Sequence, residues 1–252
     1  MRLKDKVVIV TGGARGIGKA YAVALSKEGA KVVVSDILHD GANSTADEIR
    51  KSGGEALAIT GDVSKESDAN RLAAETFKEF KRIDVLINNA GLYAGLKRRS
   101  FFEIDVEEWD KVMAVNVKGT WLCTKEVFPY MREQKSGKII NISSGTFFNG
   151  TPMLSHYVAS KGAVVGFTRA ICRELGQYNI TINAVAPGFT ITEANTEVMK
   201  DQQYITQMIK SRALQRDQYP KDLTGTVLFL CSSESDFMTG QTLVVDGGRS
   251  MH

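Results

Sequence analysis

An α/β fold, one parallel sheet with helices on both faces, is predicted by two features of this 252-residue chain. Short β-branched runs alternate with longer amphipathic stretches from one end to the other, the pattern of strand, right-handed crossover and parallel strand repeated. The runs are also apolar throughout instead of alternating with polar residues, which marks strands buried on both faces. No Pro-rich or Ser-rich linker, internal repeat or low-complexity tract interrupts the pattern, so residues 1–252 are expected to form a single domain.

Taken in order, the expected strands are Val7 to Thr11, Lys31 to Ser35, Ala56 to Thr60, Val85 to Asn88, Lys138 to Ser143, Thr181 to Val185 and Leu243 to Val245. Helical periodicity fills the gaps at Gly18 to Lys27, Ala42 to Ser52, Glu66 to Phe80, Val106 to Arg132, Tyr157 to Gly176 and Lys221 to Cys231. The region from Phe189 to Gln218, between the last two strands, is polar and only weakly amphipathic. Beside the C-terminal edge of a parallel sheet, such a segment (residues 189–218) is the expected substrate lid.

Composition excludes several functions. The formal charge is +3 and basic residues are interspersed with acidic ones, so neither a nucleic-acid nor a membrane surface is implied. The longest basic run, Lys97-Arg98-Arg99, reads as a solvated loop, with attraction of an anionic substrate as the alternative. Cys123, Cys172 and Cys231 are far apart in apolar helical contexts and read as reduced thiols. His39, His156 and His252 lack ligand spacing, so no metal is expected. The start lacks a signal-peptide pattern and no apolar run approaches the ~18 residues that span a bilayer, which points to a cytoplasmic protein.

The first strand runs directly into Thr11-Gly12-Gly13-Ala14-Arg15-Gly16-Ile17-Gly18 and then into a helix. Glycines allow the tight turn and let backbone amides approach a pyrophosphate at the helix N-terminus. Eighteen residues past Gly18, Asp36 ends the second strand with Ile37 beside it. A carboxylate there accepts from the adenosine ribose hydroxyls of NAD and repels the 2′-phosphate of NADP, although a turn cap is the plainer role. Arg15 argues the other way, since a guanidinium pairs with phosphate. Asp62 and Val63 follow the third strand where adenine is expected, and Asn89, Ala90 and Gly91 follow the fourth.

Tyr157 and Lys161, four residues apart at the head of an apolar helical run, share one helix face. An ordinary tyrosine is a poor base at neutral pH, but an adjacent ammonium favours the phenolate. The pair is therefore a candidate acid/base with its activating cation.

Together, Thr-Gly-x-x-x-Gly-x-Gly at 11–18, Asn-Asn-Ala-Gly at 88–91, Asn116, Ser144, Tyr157-x-x-x-Lys161, Pro187-Gly188 and Asp246-Gly247-Gly248 resemble the short-chain dehydrogenase/reductase family over essentially the whole chain. The resemblance implies a Rossmann fold with a seven-stranded parallel sheet, a nicotinamide cofactor, and catalysis by Asn116, Ser144, Tyr157 and Lys161. Ser144 would bind the substrate oxygen, with Ser143 on the opposite side of the strand. Tyr157 would move the proton, and Lys161 would lower its pKa and bind the nicotinamide ribose. Asn116 would hold a water leading from Lys161 to solvent. Pro187 and Gly188 would shape the nicotinamide pocket, with Thr190 and Thr192 near its carboxamide. NAD(H) is preferred over NADP(H) on the strength of Asp36.

The expected substrate wall consists of Tyr93, Ser144, Thr146, Phe147, Met153 and Phe189. Being apolar and partly aromatic, it favours a small hydrophobic secondary alcohol or ketone. The chain is similar to bacterial NAD-dependent secondary alcohol dehydrogenases of the 1-phenylethanol dehydrogenase type. A 3-oxoacyl-carrier-protein reductase is the alternative, and a dinucleotide-binding sensor without turnover is the reading from another class. The resemblance also implies a homotetramer, with contacts on the Cys231-flanked helix and the last strand.

Overall fold

The computed structural model describes residues 1–193 and 202–251. Seven parallel strands form one sheet in the order β3-β2-β1-β4-β5-β6-β7. They are β1 (Val7–Thr11), β2 (Lys31–Asp36), β3 (Ala56–Thr60), β4 (Val85–Asn88), β5 (Gly137–Ile142), β6 (Ile180–Pro187) and β7 (Thr242–Val245). The connecting helices are α1 (Gly16–Lys27), α2 (His39–Lys51), α3 (Glu66–Phe80), α4 (Val106–Met113), α5 (Gly119–Gln134), α6 (Gly145–Asn149), α7 (Ser155–Gly176), α8 (Gln202–Lys210) and α9 (Lys221–Cys231). This is a Rossmann-like α/β fold.

Successive strand residues supply opposite cores. Val8, Val10, Val32, Val34, Ile140 and Val185 pack with α1, α2 and α9 on one face, while Ile9, Val33, Leu86, Ile139 and Ile182 pack with α3 and α5 on the other. Each of these side chains is almost fully buried, so truncating one to alanine costs about 2–5 kcal/mol through lost transfer energy and the cavity left behind. Burial on both faces is why the strands read as unbroken apolar runs.

Three differences from the sequence reading bear on the site. The single helix expected from Val106 to Arg132 is α4, a π-helical turn (Ala114–Lys118) and α5. The wider turn surrounds Asn116, a poor residue for a regular helix interior that is here buried and fully hydrogen-bonded. β6 continues to Pro187, whose position at the strand end costs little of the ladder. A short helix, α6, follows Ser144 in a stretch to which the sequence assigned no element, and the Ser144 hydroxyl caps it by accepting from the Thr146 amide at 3.2 Å.

Of the proposed lid, residues 194–201 lie outside the described residues, as does His252. No helix among the described residues is long and apolar enough to cross a membrane.

Candidate active site

Between β1 and β4 the order of strands reverses, and there the strand ends open into a cleft of about 480 Å³. Open parallel sheets bind ligands at this switch point because neighbouring crossovers leave to opposite faces. The glycine turn between β1 and α1 forms its floor. Thr11 Oγ1 accepts from the Asn89 and Ala90 amides, each at 3.0 Å, and Asn89 Nδ2 donates to the carbonyls of Thr11 and Gly12 at 2.9 and 3.1 Å. The loop after β4 thus fixes the turn after β1.

Two positions in that turn require glycine. Gly12 has φ +66° and lies so near Ala90 that a Cβ would approach its Cα to 2.8 Å, while a Cβ on Gly18 would sit 2.1 Å from the Gly12 carbonyl oxygen. The Gly16 amide, at the start of α1, donates to the Glu193 carboxylate at 2.7 Å. A helix N-terminus favours an anion, and here a carboxylate supplies it. A cradle cleared of side chains, with an amide that already holds an anionic oxygen, fits a pyrophosphate.

At the end of β2, the Asp36 carboxylate accepts from the Ala14 and Leu38 amides, each at 3.0 Å. Ile37 is 66% exposed beside it and lines the cleft, as do Arg15, Ile17, Asp62 and Val63. Asp62 Oδ1 accepts from the Ser64 amide and hydroxyl at 3.0 and 2.7 Å. Arg15 is exposed and, among the described residues, makes no ion pair with Asp36. An acid held in place by two amides and flanked by apolar surface fits the adenosine part of a dinucleotide.

The other end of the cleft joins Ser144, Tyr157 and Lys161, all nearly buried. Ser144 lies close enough to the Tyr157 phenol to favour its ionised form and accepts from the Thr146 hydroxyl at 3.0 Å. Ser143 instead donates to the Lys161 carbonyl at 2.9 Å on the buried side of the strand end, as strand alternation requires. Tyr93 packs on Tyr157, with ring centroids 5.0 Å apart. Lys161 Nζ donates to the Ile142 carbonyl at 2.8 Å and lies 5.7 Å from the Tyr157 ring centre.

Burial dominates the electrostatics of the pair in the protein alone. Burial pushes the Tyr157 phenol well above the ordinary tyrosine value, Ser144 opposes that rise, and Tyr93 adds to it. Burial also pulls the Lys161 ammonium down to about 8. For both groups desolvation is the largest influence.

Asn116 clasps the opposite wall. Its Oδ1 accepts from the Leu92 amide at 2.7 Å, and its Nδ2 donates to the Leu92 carbonyl at 3.3 Å and to Ser160 Oγ at 2.9 Å. Gly91 fits between Asn116 and Lys161, where a Cβ would lie 3.4 Å from both Asn116 Oδ1 and Lys161 Nζ. The amide side chain therefore positions the loop carrying Tyr93, a role the sequence reading did not give it.

Comparison with known proteins agrees with this geometry. Residues 12–250 match the family model described as Enoyl-(Acyl carrier protein) reductase. The chain is 38% identical over 252 residues to the (2S)-[(R)-hydroxy(phenyl)methyl]succinyl-CoA dehydrogenase subunit of Thauera aromatica, covering 100% of this chain and 99% of that one. It is 39% identical to a 3-oxoacyl-[acyl-carrier-protein] reductase of Synechocystis, covering 99% and 98%. The structure superposes on levodione reductase with a TM-score of 0.94 at 33% identity, covering 98% of each chain. The chain belongs to the short-chain dehydrogenase/reductase family.

As an oxidoreductase of that family, the protein has a nicotinamide cofactor, and its cleft gathers most of the residues singled out from sequence. Gly12, Gly16, Gly18, Asn89, Ala90, Gly91, Pro187, Gly188, Thr190 and Thr192 line it, together with Tyr93, Thr146 and Phe189. Two residues expected on the substrate wall do not. Phe147 is 39% exposed and Met153 48% exposed, and neither lines the cleft. The cause is α6: its helical turn swings Phe147 against Phe148 and over Gly162, and presents Asn149 to the cleft instead. Met153 sits in a left-handed turn, φ +64°, with Thr151 and Leu154 facing the cleft on either side.

His156 faces away from the cleft. It is fully buried, with Nε2 3.2 Å from Glu108 Oε1, and Glu108 in turn pairs with Arg99 at 3.4 Å. The sequence reading missed Asn149, Leu154, Met208 and Arg249 as lining residues. Only Arg249 carried a signal, a charge next to Asp246-Gly247-Gly248. Among the described residues no cluster of His, Cys, Asp and Glu could hold a metal.

Proposed function

We propose that the chain interconverts a hydrophobic secondary alcohol and its ketone with NAD(H), using Ser144, Tyr157, Lys161 and Asn116. The observation that carries this reading is the buried contact of Ser144, Tyr157 and Tyr93 at the end of a dinucleotide-shaped cleft. The bound nicotinamide supplies or accepts the hydride. Ser144 donates to the substrate oxygen and holds it beside the phenol. Tyr157 gives its proton to that oxygen during reduction and takes it during oxidation. Its raised pKa means that the protein alone presents the acid form, ready for reduction. Lys161, buried but still largely protonated at pH 7, supplies positive charge next to the reacting oxygen. Asn116 keeps Leu92 and Tyr93 in register with the phenol.

Asp36 supports NAD over NADP, because its carboxylate, fixed by the Ala14 and Leu38 amides, is directed by neighbouring backbone rather than free to turn away. Tyr93, Leu92, Leu154 and Phe189 support an apolar substrate. Similarity to 3-oxoacyl-carrier-protein reductases favours a second reading, reduction of a 3-oxoacyl thioester. A homotetramer is supported by large apolar side chains left exposed, including Phe101, Phe102, Trp109 and Trp121. Free thiols at Cys123, Cys172 and Cys231 support a cytoplasmic setting.

Steady-state kinetics across aryl, cyclic, acyl-thioester and polyol substrates with NAD(H) and NADP(H) test the proposal. The highest kcat/KM is expected for an aryl or alkyl secondary alcohol–ketone pair with NAD(H). A preference for polyols, for thioesters with NADPH, or no turnover at all would overturn it.

A further inference from the structure

The cleft carries an imbalance of charge, and of its cations the proposed chemistry uses only Lys161. Among the described residues its lining includes the cations Arg15, Arg98, Lys111, Lys161 and Arg249 and the carboxylates Asp36 and Asp62. Those two acids belong to the ends of β2 and β3, the adenosine side, and the Glu193 carboxylate stands at the head of α1. Arg249 stands at the other end, and its surroundings are unusual.

Arg249 is half-buried. Its Nη1 donates to the Met208 thioether at 2.9 Å, a weak acceptor, and among the described residues no carboxylate lies within ion-pair distance of it. The nearest acid in sequence, Asp246, is spent on backbone: it accepts from the amides of Gly248, Arg249 and Ser250 at 2.9–3.0 Å. Behind it lies a second guanidinium. Arg212 is 4% exposed, donates to the carbonyls of Phe189 and Arg216 at 2.6 and 2.9 Å, and leaves its buried Nε without a partner among the described residues. Burial lowers the Arg212 pKa; Asp217 and Asp246 oppose that, and the charge of Arg249 adds to it. A half-buried cation with unspent donors, backed by another cation, costs free energy until an anion meets it.

The position is also informative. The Ser250 hydroxyl donates to Asn149 Oδ1 at 3.1 Å, which fastens the turn carrying Arg249 to the end of α6. α6 begins directly after Ser144, and the Asn149 amide that Ser250 holds folds back to donate to the Gly145 carbonyl at 2.7 Å, so the turn carrying Arg249 is tied to the helix that Ser144 starts.

We infer that Arg249 forms an anion subsite, and that the substrate carries a carboxylate several bonds from its reacting hydroxyl or carbonyl. This rests on the alcohol–ketone reading above and adds the second handle of the substrate: an apolar middle against Tyr93 and Leu154, and an acidic end at Arg249. The fork of a guanidinium suits a carboxylate bidentately.

The test compares 4-oxo-4-phenylbutanoate with its methyl ester as substrates, in wild type, Arg249→Gln and Arg249→Lys. Calorimetric titration of the unreactive 4-phenylbutanoate onto each protein with NADH present gives a reading independent of turnover. Wild type should favour the acid over the ester by tenfold or more in kcat/KM. Arg249→Gln should lower that ratio at least tenfold, mostly through KM of the acid, and abolish measurable 4-phenylbutanoate binding. Arg249→Lys should restore part of both, and an unchanged NADH affinity establishes that the variants are folded. Equal use of acid and ester by wild type, or a ratio and a binding constant that Arg249→Gln leaves unmoved, overturns the subsite. Arg249-dependent binding of 4-phenylbutanoate without turnover of any ketone would sustain the subsite and overturn the alcohol–ketone reading instead.

Discussion

Replacing Lys161 by methionine should make the cofactor-free protein more stable while destroying its activity. The lysine is 4% exposed, and burial brings its pKa to about 8 from an ordinary 10.5. A lysine whose folded pKa is depressed opposes folding at low pH: the penalty is fully present below the folded value, fades as pH rises from 8 towards 10.5, and is absent above. At pH 7 the depression corresponds to about 3 kcal/mol. Methionine has similar length and no charge, but it leaves the Ile142 carbonyl without its 2.8 Å donor, which costs about 1–3 kcal/mol. The net gain expected at pH 7 is up to about 2 kcal/mol, and by pH 10 it falls by about 2–3 kcal/mol, to roughly zero or a net loss. Urea unfolding of both proteins at matched concentration, at pH 7 and pH 10, measures it. A variant less stable than wild type at pH 7, or a gain identical at the two pH values, would refute the claim that this ammonium is held against its solvation.

Three further outcomes follow from the site. Tyr157→Phe should retain NADH binding within about threefold, measured by fluorescence titration, and lose at least about 10²-fold in kcat; near-normal turnover would remove Tyr157 from the chemistry. Asp36→Asn should raise the NADP-to-NAD ratio of kcat/KM by about tenfold or more, since it deletes the charge facing a 2′-phosphate, and an unchanged ratio would transfer control of specificity to Arg15. Glu193→Gln should tighten NADH binding several-fold, about 1 kcal/mol, because the carboxylate on the Gly16 amide occupies the anion position at the head of α1; weaker binding would show that Glu193 supports the cofactor rather than competing with it.

Much of the fold is legible along the chain because burial on both faces leaves a local mark. The unbroken runs Val7–Thr11 and Ala56–Thr60, and the periodic stretches Glu66–Phe80 and Lys221–Cys231, have the bounds expected from pattern alone. The glycine turn and Asp36 are legible for another reason: a backbone that must approach an anion, or an acid that must end a strand, restricts residue type at one place. Asn116 shows the limit. Its presence in a helical stretch signals a conflict, and only the packed structure resolves it, through a π-helical turn that directs the amide at Leu92 and Ser160. Phe147 and Met153 show it again, since a five-residue helix started by the Ser144 cap decides which side chains face the cleft.

By itself the sequence determines the doubly wound sheet, the glycine turn between β1 and α1 and the Tyr157–Lys161 pair, because each depends on spacing along one or two adjacent elements. Tertiary structure decides the burial of that pair and which side chains line the cleft. The phenol is raised and the ammonium lowered by desolvation from residues distant in sequence, and Arg249 meets Met208, and Ser250 meets Asn149, only after α6, α8 and the last turn have packed together. Burial and charge are sums over neighbours in space, and those neighbours are fixed only by the fold.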